Sequence, residues 1–162
     1  MSKPLHIVYI CIIIILLLVI IYQIHKSIFS ISDNDISTLT DNWCNEVTIT
    51  HNPETIASLF CPDGNLVGTV SQVKRKSLDI KRYFNYFAKL PNIKIVKKQY
   101  NISKVTSNVF INTAFITWMW DGLENPIVAR MTFVFRDKCI FQLHSSALPD
   151  LNEKLLEVSK VV

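Results

Sequence analysis

An apolar run from Leu5 to Ile24 constrains this chain more than any other feature of its sequence. The run reads LHIVYICIIIILLLVIIYQI, and only His6 and Gln23, near its ends, are strongly polar. Twenty helical residues at about 1.5 Å per residue cover the roughly 30 Å hydrocarbon core of a bilayer. The run is longer than the apolar part of a cleaved signal peptide, and no small-residue cleavage site follows it. The sequence therefore predicts a retained N-terminal, single-pass membrane anchor over residues 1–25, with an uncleaved or unusually processed signal sequence as the alternative.

The side of the membrane on which the rest of the chain lies is not readable, because positive charges flank the run at both ends. Beyond the anchor there are three cysteines, Cys44, Cys61 and Cys139. An odd number with no CxxC motif and no Cys/His cluster argues against a disulfide framework and against a structural zinc site. The sequence predicts no metal and no cofactor.

The net charge of +4 is modest. The basic clusters, Lys74-Arg75-Lys76 and Lys97-Lys98, are short. Solvated ends of strands or helices explain such clusters more simply than a nucleic-acid interface does. We therefore expect no nucleic-acid partner.

After a polar linker over residues 26–34, helical signals come first. Ile36, Leu39, Trp43 and Val47 recur at helical spacing and predict an amphipathic helix. A second, short helix is capped by Asn52, has Pro53 at its first position and stops at the turn Pro62-Asp63-Gly64. A third is capped by Ser77 and carries the apolar stripe Ile80, Tyr83, Phe84, Phe87 and Leu90.

Strand signals dominate the second half of the chain. A short strand over 66–70 is followed, after the third helix, by β-branched and aromatic runs that predict strands at about 93–105, 109–121, 126–136 and 138–146. Helices followed by long antiparallel strands predict an α+β domain over 35–150, with N-terminal helices packed on one face of a curved antiparallel sheet. Residues 151–162 form a C-terminal tail that allows a short helix.

A polar ladder stands near the end of the last predicted strand. Strand alternation places Gln142, His144 and Ser146 on one face, and Leu143 and Ser145 on the other. Buried polar groups need partners, so the ladder either surrounds a ligand or belongs to a strand end that emerges into water. Arg130, in the middle of another apolar strand, either meets an anion or extends to the rim of the sheet.

Four motifs in this order resemble one family of cone-shaped domains. They are Gly68-Thr69, Tyr83-Phe84, Ala129-Arg130-Met131-Thr132-Phe133 and Leu143-His144-Ser145-Ser146-Ala147-Leu148-Pro149. The combination resembles the NTF2-like (SnoaL-like) superfamily, and within it the branch related to the association domain of calcium/calmodulin-dependent protein kinase II. The resemblance covers roughly Ile36 to Asp150 and implies an NTF2-like cone whose mouth can hold a ligand.

That branch includes the iota class of carbonic anhydrases, some of which work without metal. By resemblance, the catalytic groups of reversible CO2 hydration fall on His144, Ser146, Thr69 and Tyr83. Imidazole suits the role of proton acceptor near neutral pH, and hydroxyl groups suit the orientation of water and bicarbonate. Arg130 and Ser145 would bind the substrate, so CO2, bicarbonate or another small anion would occupy the cone. The sequence departs from the family where Leu143 replaces the first histidine of a His-His pair.

The alternative function is a non-catalytic association or ligand-binding module that forms homo-oligomers, most simply dimers, through its sheet. One predicted strand has large apolar side chains on both faces, those of Trp118, Met119 and Trp120, and this pattern predicts such an interface. A place in the core is the other interpretation. A pocket in which the four polar groups converge favours the enzyme, and a filled cone favours the association module.

Overall fold

The computed structural model describes residues 3–28, 31–69, 71–76 and 78–148. The chain divides into two compact units, Met1–Ile31 and Ser32–Val162. The predictions made for Ser77 as a helix cap, for the motif residue Pro149 and for the tail at 151–162 lie outside the described residues.

The first unit is a continuous helix, α1, over Lys3–Ile28. Its side chains are described from Val8 to Gln23, and each large apolar side chain among them is about half exposed or more. Within the described residues, no helix is found that is long and apolar enough to cross a membrane.

The second unit begins with helices at the positions that the capping signals indicate. Helix α2, over Asp33–Asn45, starts with a reciprocal pair of hydrogen bonds between Ser32 and Asp35. It continues into a π-helical turn over Glu46–Thr50. Helix α3, over Pro53–Ser58, is capped by Asn52 as predicted, because the Asn52 amide oxygen accepts hydrogen bonds from two backbone N–H groups. Helix α4 spans Leu78–Phe87.

Within the described residues, six strands form one sheet in the order β2-β1-β6-β5-β4-β3. The strands are β1 (Phe60–Gly68), β2 (Ser71–Lys76), β3 (Lys94–Lys104), β4 (Val109–Met119), β5 (Ile127–Arg136) and β6 (Cys139–Ala147). Neighbouring strands are antiparallel except β1 and β6, which are parallel. The predicted α+β architecture is confirmed, but the sheet is mixed rather than wholly antiparallel.

The strands β3 to β6 begin and end within about two residues of the predicted limits. The first two strands, β1 and β2, differ more from the predicted elements. The turn predicted at Pro62-Asp63-Gly64 is instead a bulge inside β1, where the register against β6 shifts between Phe60 and Asn65. Strand β2 has no counterpart among the predicted strands, because SQVKRK has a single apolar residue and forms an edge of the sheet.

The core of this unit is a cluster of aromatic rings between the helices and the inner face of the sheet. Trp43 of α2 makes edge-to-face contacts with Phe84 of α4, Trp118 of β4 and Phe133 of β5, at centroid distances of 5.9, 6.1 and 5.2 Å. Trp118 is fully buried in this cluster. The predicted role of Trp118 in an interface is therefore wrong, since a ring in the core cannot contact a partner.

A disulfide joins Cys61 of β1 to Cys139 of β6, with the two Cα atoms 5.1 Å apart. The sequence argument against disulfides is wrong here. It rested on an odd number of cysteines, whereas the parallel pairing of β1 and β6 brings together two residues that are 78 positions apart. Cys44 and Cys11 are free.

Candidate functional site

A small cavity lies between the helices and the inner face of the sheet. Among the described residues it measures about 10 Å³, which is close to the smallest space that holds one water molecule. The lining combines apolar side chains with a few hydroxyl groups: Trp43, Leu66, Gly68, Thr69, Tyr83, Phe84, Phe87, Met131, Leu143 and Ser145. Because the described lining has neither an imidazole nor a carboxylate, it provides no proton acceptor that titrates near neutral pH.

Two of the predicted site residues meet in this cavity and satisfy each other. The hydroxyl oxygens of Thr69, just after β1, and Ser145, in β6, are 2.5 Å apart and share a hydrogen bond. Ser145 is only 1% exposed. The pair thus gives a buried serine the partner that burial demands.

Tyr83 forms the wall of the cavity at the end of β1. Its ring stacks on Phe87 at a centroid distance of 5.6 Å and lies beneath the guanidinium of Arg75, which is 5.0 Å from the ring centroid. The ring also lies against the backbone of Gly68, where an added Cβ would be 2.2 Å from Tyr83 Cζ. The Gly-Thr and Tyr-Phe motifs are therefore one packing unit, since only glycine leaves room for the tyrosine.

The other three predicted site residues lie elsewhere. His144 is exposed and Ser146 is half-buried, whereas their neighbours Leu143 and Ser145 are buried. The prediction that His144 and Ser146 face the cone is therefore wrong. Burial of the apolar Leu143 side chain stabilises the fold, whereas burial of the His144 imidazole would require hydrogen-bond partners. Because successive side chains of a strand point to opposite faces, only one of these two neighbours can face the core.

Arg130 shares the outer face with His144. The register pairs Arg130 with Ser146 and with Phe115, and the Arg130 guanidinium lies 5.9 Å from the Phe115 ring centroid. Arg130 is exposed, so it does not attract an anion into the cone. Leu143, in contrast, lines the cavity. Its replacement of the histidine that the resemblance implies therefore changes the interior of the cone.

A second cluster of titratable groups, between α2 and β3, was missed by sequence reasoning. Asp41 accepts hydrogen bonds from Lys98 and from the Tyr100 hydroxyl, and Tyr100 also contacts the Cys44 thiol at 3.6 Å. Burial opposes ionisation of Asp41, but these hydrogen bonds outweigh it and the pKa of Asp41 lies below its usual value. The sequence did contain a signal for this cluster. The spacing of Asp41 and Cys44 places them on one face of a helix, and the spacing of Lys98 and Tyr100 places them on one face of a strand.

The same cluster keeps the Cys44 thiol and the Tyr100 phenol neutral. Burial raises the pKa of the Cys44 thiol to about 11. Burial and the hydrogen bond to Asp41 also raise the pKa of the Tyr100 phenol. A neutral thiol is a poor nucleophile, so the cluster offers no reactive group. Its hydrogen bonds hold α2 on the sheet. Among the described residues, no group of three or more His, Cys, Asp or Glu side chains is placed to hold a metal ion.

Comparison with known proteins identifies relatives by structure. No protein-family model and no curated protein matches the sequence. A solved structure from Xanthomonas campestris, provisionally described as a calcium/calmodulin-dependent protein kinase II association domain, is 29% identical, has a TM-score of 0.62 and covers 72% of this chain and 87% of its own.

Two more distant structures have the same fold. An NTF2-like protein of unknown function from Pseudomonas putida is 13% identical, with a TM-score of 0.62 over 74% of this chain and 95% of its own. A provisionally described dehydratase of the NTF2-like family from Streptomyces avermitilis is 14% identical, with a TM-score of 0.62 over 72% of this chain and 95% of its own. These similarities show that the chain has the NTF2-like fold.

Proposed function

We propose that the second unit is a non-catalytic association module, in which two copies of the chain pair through the outer face of the sheet. The outer face is the side of β4, β5 and β6 that carries Phe115, Arg130 and His144. The observation that carries the proposal is a contrast: the cavity described inside the cone, about 10 Å³, is too small for an organic ligand, while Phe115, Arg130 and His144 on the outer face are exposed.

The outer face has the composition of an interface. Phe115, at its centre, is 42% exposed, and Ile111, Val128 and Val134 around it are half-buried. Arg130 stacks over Phe115. Interfaces between proteins are enriched in aromatic residues and arginine at their centre and are polar at the rim. A second copy of the same face would bury these groups about a twofold axis.

The similarity to a structure described as an association domain also supports this proposal.

Carbonic anhydrase activity is not proposed. Hydration of CO2 requires a proton acceptor close to the groups that orient the water. His144, the histidine that the resemblance assigns to this role, lies on the opposite face of the sheet from Thr69 and Tyr83.

The test is the mass of the full chain in detergent, measured by analytical ultracentrifugation. We expect a dimer for the native chain and a monomer for Phe115→Asp, because a charge at the centre of a desolvated contact weakens binding by a factor of ten or more. Ile49→Asp is the matched control, since Ile49 is also an exposed apolar residue, 69% exposed, but lies on the π-helical turn. A native monomer, or a dimer that persists in Phe115→Asp, would overturn the proposal.

We further propose that the apolar run from Leu5 to Ile24 anchors the chain in a membrane and that the second unit lies on the oxidising side of that membrane. Exposed apolar side chains along α1 support the anchor, and the disulfide between Cys61 and Cys139 supports the oxidising side. In cells, the native chain should resist extraction by carbonate, and Leu16→Arg with Ile20→Arg should reduce the membrane-bound fraction. The two disulfide cysteines should react with a maleimide only after reduction. Extraction of the native chain, or labelling of Cys61 without reductant, would contradict the respective part.

A further inference from the structure

A cleft outside the cone lies between β2 and α4. It has a volume of about 310 Å³ and is lined by Ser71, Arg75, Arg82, Tyr83 and Tyr86. The Tyr83 ring separates this cleft from the filled interior, since Tyr83 lines both spaces. The cleft has the volume of a small-molecule site, which the interior lacks.

Arg75 is fixed in the cleft without an acidic partner. Its guanidinium donates hydrogen bonds to the Val73 carbonyl (2.7 Å) and the Ser71 hydroxyl (2.8 Å), and it stacks over the Tyr83 ring. In the described part of the chain, Arg75 forms no ion pair. An arginine has five N–H donors in a planar fork, so a guanidinium held by two of them keeps donors for a ligand and needs no reorganisation to bind it.

Arg82 supplies a second positive charge on the facing helix. Its partner is Asp79, at 3.0 Å, but the Arg82 and Asp79 side chains are 79% and 57% exposed. Exposed pairs of this kind are worth little and are readily exchanged for a competing anion. Tyr86 lies one helical turn beyond Arg82 and is 65% exposed, so it offers an aromatic face beside the two guanidinium groups.

The geometry points to a binding site for a small organic carboxylate with a flat, apolar body. The carboxylate binds Arg75 and Arg82, because planar guanidinium groups match carboxylates in a bidentate manner. The flat body packs against the Tyr86 ring. This binding site is separate from the proposed association surface, because neither β2 nor α4 contributes to the outer face.

The test uses the full chain in detergent, with benzoate as the probe and ligand-observed NMR titration as the measurement. Benzamide is the neutral control of the same shape, and inorganic phosphate is the control for an anion without a flat body. We expect saturable binding of benzoate and at least tenfold weaker binding of benzamide and phosphate. Arg75→Gln should weaken benzoate binding by about tenfold, as expected for a charge-assisted contact.

Two further variants keep the test decisive if Arg75→Gln disturbs the packing of Tyr83. Arg82→Gln and Tyr86→Ala alter exposed side chains, and each should weaken benzoate binding several-fold. Lys104→Gln is the control, because Lys104 also lies over an aromatic ring, that of Phe110, but belongs to β3 and lines no part of the cleft; it should leave benzoate binding unchanged. Equal binding of benzoate and benzamide, a preference for phosphate, or indifference to Arg82→Gln would overturn the inference.

Discussion

The disulfide between Cys61 and Cys139 should contribute a large share of the stability of the second unit. It closes a loop with a sequence separation of 78 between two neighbouring strands. The loss of chain entropy for a loop of that length corresponds to about 4.5 kcal/mol at 25 °C. Domains of this size are stable by roughly 5–15 kcal/mol in total, so removal of the cross-link should leave the domain folded only marginally.

The perturbation is the double substitution Cys61→Ala and Cys139→Ala in the full chain, and the assay is urea unfolding. Trp43 and Trp118 are buried in the core, so their fluorescence reports the loss of packing in this unit. With a slope of about 2 kcal/mol per molar urea, the midpoint should fall by roughly 2 M. Cys44→Ala is the control, because it removes a buried sulfur without opening a loop, and it should shift the midpoint much less.

Reductant provides an independent check on the same reasoning. Dithiothreitol should lower the midpoint of the native chain to that of the double variant and leave the double variant unchanged. Equal midpoints for the oxidised native chain and the double variant would refute the argument from loop closure. A comparable shift in Cys44→Ala would show that packing of the sulfur atoms, rather than the cross-link, carries the stability.

Three further predictions follow from the contacts in the cone and on α2. Gly68→Ala should destabilise the domain by about 2–4 kcal/mol in urea unfolding, since an added Cβ would overlap the Tyr83 ring; a neutral effect would contradict the close packing. The pKa of Asp41 is lower in the folded state, so its contribution is present above pH ~4 and is lost as the pH falls through the folded value. Asp41→Asn should therefore lose less stability than the native chain between about pH 5 and pH 2.5, and equal losses would count against the hydrogen bond from Lys98. Stopped-flow assays should detect no CO2 hydration above background, with His144→Ala identical to the native chain; activity that depends on His144 would restore the enzyme hypothesis.

The sequence predicts the elements of this fold well where a local rule decides them. Asn52 and Pro53 mark the start of α3 because capping needs only neighbouring residues. Along the strands β3 to β6, apolar and polar residues alternate with a period of two, which the helices do not show. Strand β2 escapes prediction because Ser71–Lys76 forms an edge, and an edge strand needs no continuous apolar face.

The candidate site was harder to predict, because it depends on pairings between distant segments. The period of a strand shows that His144 and Ser146 share a face, but it does not show which face is turned inward. The packing of Leu143 against the core decides that. The partner of Cys61 likewise follows only from the register of β1 against β6, which no local pattern in the sequence reveals.

The location of the polar groups favours the proposed association through the outer surface of the second unit. Inside the cone, the hydroxyls of Thr69 and Ser145 satisfy each other, whereas the buried indole N–H of Trp43 has no hydrogen-bond partner among the described residues. His144 and Arg130 lie on the outer face, and Arg75 is fixed in the cleft between β2 and α4. Leu143 lines the cavity where the resemblance places a histidine, and the described lining contains no Asp, Glu, His, Lys or Arg. The charges that the proposed interface and the proposed carboxylate site use therefore lie outside this cavity.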